Sequence, residues 1–297
     1  MRYLAACLLL CLMAAGSRID AAEIMVAAHQ DSPPLRQFVA DLAARRPHDR
    51  VQFMLAAQLP SPAALPADSR LILLGADTLD WRLQDSNGPP TLILQVSRVQ
   101  ASRRLGEGRP PHLTLLWSDP PPLRQLRLIR QLLPRAQRVG LVYSNDSRFL
   151  IREIRREAAG MGLAVSAWYW PDPRDSRPLN RMLEESDVVL GLDDAALYNP
   201  ASIKGVLLAS YSRRLALIGP TAAFIRAGSL ASSYSDQANW LDELDRLLSQ
   251  PPQDWPREAY PAAFKVLSNP QVARSLGIDT GDDQEQARRL IDWEQRP

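Results

Sequence analysis

Asp193 and Asp194 stand side by side in "LDDAALYN" (192–199), after the apolar run "DVVLGL" and before a renewed helical rhythm. Paired carboxylates can share a proton and divide acid and base roles. Neighbours on an extended segment point to opposite sides, however, which sets these two apart. The remaining readings are a turn in which an aspartate bonds backbone amides, with Tyr198 and Asn199 completing it, or a carboxylate that anchors the amine or hydroxyl of a ligand. In "YSNDS" (143–147), Ser144, Asn145 and the amides of a following helix could hold an anion, or Ser147 could simply cap that helix. His29 lies in "HQDSPP" after an apolar run, where it is either a cleft residue or a structural histidine. The three histidines are far apart in sequence and form no local metal cluster. No nucleophile elbow, phosphate-binding loop or dinucleotide fingerprint is present, and "AAGMGL" reads as a helix end closed by glycine. We therefore expect no catalytic residues, no metal and no cofactor.

Polar clusters of this kind need a scaffold that brings them together. After Glu23 the chain alternates short strand-like runs with longer helical ones. "EIMVAA", "VQFMLA", "RLILLGA" and "PTLILQV" read as buried strands, and "PPLRQFVADLAARR" as a helix with Leu35, Phe38, Val39 and Leu42 on one face. A shift at "QASRRLGEGRPP" precedes "HLTLLWSDPPP", and the passage between domains falls near 113–121. Trp117, beside it, is a cleft candidate; "WYW" (168–170) alternates sides of a strand and reads mainly as core. The second unit repeats the alternation from "RVGLVYS" to "SLASSYS". Two successive units of this kind predict an α/β protein of two doubly wound parallel-sheet lobes around a cleft. In such sheets ligands bind beyond the carboxyl ends of the strands, and the polar clusters occupy those positions. The expected division is 1–22 leader, 23–116 first lobe, 117–234 second lobe, 235–278 helices and strand across the hinge, and 279–297 a peripheral tail.

Composition narrows the function. The chain has 297 residues, 46% hydrophobic and 23% charged, with a net charge of +2; that charge is too small to suggest a nucleic-acid partner. Only Lys204 and Lys265 are lysines among 35 basic residues. "MRYLAACLLLCLMAAGSRIDAAE" reads as a secretory signal peptide, its apolar stretch too short to span a bilayer. Both cysteines, Cys7 and Cys11, fall inside it, so the exported chain would hold no disulfide or thiol site. "LAAC" has the form of a lipoprotein box but leaves almost no apolar core before the cysteine.

The order of several segments resembles the ABC-transporter substrate-binding protein family that includes the tryptophan- and tyrosine-binding type. They are "LIRQLLPRAQRVGLVYSNDS" with Leu133-Pro134, a strand ending in Asp193, the stretch Gly228 to Asp236, and Asn269 running into Ala273, Leu276, Gly277 and Ile278. The resemblance spans nearly the whole mature chain. It implies a type I periplasmic-binding-protein-like fold and an exported, periplasmic protein that closes two lobes over a small polar or aromatic, amino-acid-like solute without chemistry. Its partner would be an inner-membrane permease, or alternatively a membrane sensor or receptor served by a ligand-sensing or docking module. By residue, it places Gln30, Asp31 and Ser32 in the first-lobe loop and Ser144, Asn145 and Ser147 on a ligand carboxylate. Asp193 and Asp194 would grip the amino or polar end, and Tyr234 or Asp236 would lie near the hinge. "GRPPHLTLLWSDPPP" departs from the glycine-rich passage usual before the crossing, and "SNDSR" is shorter than the usual link between the strand and its helix.

Overall fold

A computed structural model describes residues 21–105 and 109–295; all of the proposed leader but residues 21 and 22 lies outside them. The first lobe runs β1 (Glu23–Ala28), α1 (Pro33–Arg45), β2 (Arg50–Leu55), β3 (Arg70–Leu74), α2 (Ala76–Arg82), β4 (Thr91–Val96), α3 (Arg98–Leu105) and β5 (Leu113–Trp117). The second runs α4 (Pro122–Leu132), β6 (Arg138–Tyr143), α5 (Leu150–Gly160), β7 (Ala164–Tyr169), α6 (Arg177–Glu184), β8 (Val188–Leu190), α7 (Ile203–Ser212), β9 (Ala216–Ile218), α8 (Ala222–Ala227) and β10 (Ala231–Tyr234). The chain then returns to the first lobe with α9 (Gln237–Leu248) and β11 (Glu258–Ala259). It ends in the second with β12 (Lys265–Ser268), α10 (Pro270–Leu276) and α11 (Asp283–Glu294).

Each lobe is built on a six-stranded sheet, ordered β11-β5-β4-β3-β1-β2 and β12-β10-β9-β8-β6-β7. All described pairings are parallel except β12 against β10. The inner strands β1, β3 and β4 are buried apolar runs, interrupted within β4 by Gln95, because helices cover both faces of the sheet. In each lobe the first strand sits between the second and the third, so the winding reverses there. That reversal opens a crevice at the carboxyl ends of β1 and β3, and again at those of β6 and β8.

Two apolar clusters flank the first sheet. One joins Phe38 and Leu42 of α1 to Trp240, Leu241 and Leu244 of α9, so the returning helix completes that lobe. The other contains Trp117. A third cluster fills the second lobe and takes in Val99 of α3, a first-lobe helix. Three differences from the sequence reading follow. "LTLLW" is a fully buried strand rather than part of the passage between domains. Segment 235–278 divides between the lobes. The stretch 279–297, read as peripheral, carries α11, whose Leu290 is fully buried and whose Glu294 pairs with Arg124 of α4.

Candidate functional site

Two polar constellations form where the sheets reverse their winding. In the first lobe, a cavity of ≈ 600 Å³ opens at the carboxyl ends of β1, β3 and β4. Its apolar wall comes from Leu35 and Phe38 of α1, Leu74, Leu94 and Trp240. His29, Gln30, Ser32, Asp77, Gln95, Ser235 and Gln237 supply the polar lining. Ser32 caps α1, its hydroxyl accepting from the Leu35 amide at 3.4 Å. Gln95 sits at an irregularity between Ile93 and Val96 where the β4–β5 register shifts, and its φ of 59° is left-handed. A side chain other than glycine in that region costs about 1–3 kcal/mol, and such positions cluster where a protein holds a ligand. The distortion turns an exposed Gln95 toward the cavity on a strand that is otherwise core.

In the second lobe, Asp194 is 1% exposed. It accepts from the Ser144 and Ser147 hydroxyls at 2.6 and 2.5 Å and from the Ala196 amide at 3.0 Å. Ser147 in turn accepts from the Ser144 amide. The loop after β6 is thereby stitched to the loop after β8, and the serines' hydroxyl protons point at protein. Asn199 accepts from the amides of Ala201 and Ser202, closing the turn into α7. Tyr198 is buried edge-on to Phe224 at 5.5 Å, and its hydroxyl has no partner. Burial, with the Asp194 charge adding to it, pushes its ionisation well up. Asp194, Tyr198 and Asn199 thus build a loop.

Asp193 faces the other way. The Ser97 side chain, at the start of α3, lies near it across the junction of the lobes. Burial raises its carboxyl pKa, the nearby Ser97 side chain opposes the rise, and the Asp194 charge adds to it. Nearby, Asp119 in the first crossing is 8% exposed and accepts from the Arg98 amide at 2.8 Å. Burial pushes its carboxyl up to about 7, against that hydrogen bond and with help from the Asp193 charge. The Arg98 guanidinium forms a two-pronged pair with Glu153 of α5 at 2.9 and 2.8 Å and donates to the Tyr260 hydroxyl at 3.2 Å. Burial works against its charge, but Glu153 and Tyr260 hold it. Arg103 reaches Asp146 at 3.4 Å across the same junction.

The residues named from sequence therefore separate into groups. Gln30 and Ser32 line the first-lobe cavity; Asp31 is exposed and pairs with Arg36. Ser144, Ser147 and Asp194 bond one another, Asn145 is exposed beside them, and Asp193 lies near Ser97 of the opposite lobe. Trp117 is buried in the first-lobe core. Tyr234 is half-buried at the end of β10, one residue before the cavity-lining Ser235. Sequence reasoning passed over Asp77, Gln95, Phe38 and Trp240 as site residues. A glutamine breaking the apolar run "LILQV" was the one available signal; Trp240 reaches the site only through the return crossing. Among the described residues no group of three or more His, Cys, Asp or Glu could hold a metal ion, and no helix is long and apolar enough to cross a membrane.

No protein-family model matches the chain, and no curated protein matches it in sequence. Solved structures do. A substrate binding protein with adhesive properties from Clostridium difficile, in its ligand-free, open form, aligns with a TM-score of 0.68 at 14% identity, over 89% of this chain and 97% of that one. An ABC domain from Streptococcus pneumonia in complex with L-Trp aligns at 0.59 and 16% identity, over 90% and 98%. A conserved domain protein from Vibrio cholerae aligns at 0.59 and 18%, with the same coverage. The likeness is one of fold. It spans both lobes and bears out the two-lobed architecture of the periplasmic-binding type expected from the resemblance.

Proposed function

We propose that this chain is an exported solute-binding protein that holds a small amphipathic solute in the first-lobe cavity and presents the occupied form to a membrane partner. The observation that carries the reading is the ≈ 600 Å³ cavity at the carboxyl ends of β1, β3 and β4, at the point where the winding reverses. Its size suits a small organic ligand, with an apolar wall for burial and a few polar groups for orientation. The fold shared with substrate binding proteins supports binding without chemistry, and the apolar leader supports export to the periplasm. An inner-membrane permease of an ABC-type system is the partner this reading implies.

Thermal unfolding of residues 23–297 against amino acids, amines, aromatic metabolites, nucleobases and sugars tests it. A solute that binds only the native state adds about 2.7 kcal/mol at 100 times its dissociation constant. We expect a hit whose shift is reduced by Gln95→Ala and His29→Ala, both exposed positions in the lining. A hit indifferent to both substitutions, or no shift across the panel, would remove the cavity as the site.

A further inference from the structure

We infer that the solute held in this cavity is a ring-bearing organic cation without a carboxylate, an aromatic or hydrophobic amine rather than an α-amino acid. The inference rests on the cavity being the solute site and adds the ligand's class. Charge is the first ground. Among the described residues lining the cavity, Asp77 is the only carboxylate, and no arginine or lysine lines it. Arg36, close in sequence, does not line the cavity and is gripped by Asp31. Arg98, after β4, is committed to Glu153 and Tyr260.

The backbone is the second ground. A helix start beside a cavity normally offers free amides to an anion, but α1 offers none. Pro33 and Pro34 have no N–H, the Leu35 amide is taken by the Ser32 hydroxyl, and the Arg36 amide by the Ser32 carbonyl. On the β4 side the Ser97 amide donates to Gln100 and the Arg98 amide to Asp119. The start of α2 carries Asp77 itself in its first turn.

The third ground lies in the second lobe. Ser144 and Ser147 do not line the cavity, and their hydroxyls already donate to Asp194, so neither is free to bind a ligand carboxylate. A ligand carboxylate would meet the like charge of Asp77 with no arginine or lysine to offset it, and only the carboxamides, hydroxyls and His29 of the lining as donors. A ligand ammonium would meet Asp77, the neutral acceptors of Gln95 and Gln237, and the rings of Phe38 and Trp240, whose faces attract cations.

Calorimetric titration of the mature protein at about pH 8, where imidazole is uncharged, tests this with matched probes. These are tryptamine, the neutral alcohol tryptophol, indole-3-acetate and L-tryptophan, with the four phenyl analogues alongside. We expect the amine of at least one series to bind more than about tenfold tighter than its acid and its amino acid. Asp77→Asn should weaken that amine about fivefold and leave the alcohol unchanged. Asp77 is exposed, so the variant should fold. An acid or amino acid that binds as tightly as its amine would overturn the class while leaving solute binding intact. So would an amine indifferent to Asp77→Asn. Silence from both amines would also end it, and the broad panel would then decide separately whether the cavity binds any solute.

Discussion

Removing the Asp194 carboxylate would leave two buried hydroxyls and one amide without their acceptor. Orphaned buried donors cost about 1–3 kcal/mol each, with partial relief as loops relax. Asp194→Ala should therefore lower stability by about 3–5 kcal/mol, and Asp194→Asn by less, since the amide keeps one acceptor. The urea midpoint followed by tryptophan fluorescence reads both; equal and small losses would show that the serines find other partners. Asp119 makes the opposite case, a carboxyl the fold would rather keep protonated. Its pKa of about 7 in the folded chain, against an ordinary 3.8, means that the native state binds the proton more tightly. Its contribution is fully present below about pH 4 and is lost as pH rises through about 7. The loss is on the order of 4 kcal/mol at most. Asp119→Asn can still accept from the Arg98 amide, so it should flatten the stability profile between about pH 4 and 7 and stabilise the protein at pH 8. An unchanged profile would place the titration elsewhere. Little of this chemistry was legible in advance. The sequence marks Asp193 and Asp194 as polar residues after a strand, but which one turns inward depends on two serines some fifty positions away. Gln95 becomes a site residue only because the backbone there is left-handed.

At the scale of elements the alternation of apolar runs reads well, because strands buried on both faces must be continuous Val, Ile and Leu. What failed to read were elements whose burial comes from elsewhere. β5 is followed at once by "SDPPP", which looks like linker, yet pairs with β4 on one side and β11 on the other. α3 is eight residues of mostly polar sequence, too short for periodicity, and is held by Val99 and Ala101 in two different cores. The last helix is charged and follows "GIDTGDD", so it reads as a tail. In the fold its Leu290 and Ala287 enter the second-lobe core. Arg124 lies over the Phe264 ring at 3.7 Å while pairing with Glu294, and Arg127 lies over Trp293 at 3.9 Å. Ending the chain at residue 279 would expose that face and leave Arg124, 5% exposed, without its carboxylate. Losses of this kind total about 3–5 kcal/mol. The truncated protein should lose cooperativity in the second lobe first, read by amide exchange in β6, β8 and β12. Unchanged protection there would return the segment to the periphery.

For the whole molecule, the decisive feature is how two lobes joined by three crossings are kept in register. The chain passes between them near 118–121, 235–236 and 260–264, so relative motion bends three short segments together. Across the junction lie the Arg98–Glu153 pair, the Arg103–Asp146 contact and Val99 in the opposite core. In a two-lobed binder the closed form is usually favoured by a ligand that touches both sides. Here the chain's own side chains do part of that bridging, and the described cavity is walled by the first lobe and the second return segment. Closure and occupancy should then be only loosely coupled. Glu153→Gln keeps the size of the side chain and removes the charge that holds Arg98. For a partly exposed two-pronged pair that weakens closure by about 1–2 kcal/mol. Small-angle scattering of this variant should show a larger radius of gyration than the parent at about 0.15 M salt, and the parent should approach it as salt is raised and the pair is screened. Solute affinity should change less than about fivefold. If Glu153→Gln leaves the scattering unchanged, the Val99 contact and the Arg103–Asp146 contact suffice for closure. If instead affinity collapses with it, the second lobe contributes directly to the solute site, and recognition is shared between the lobes after all.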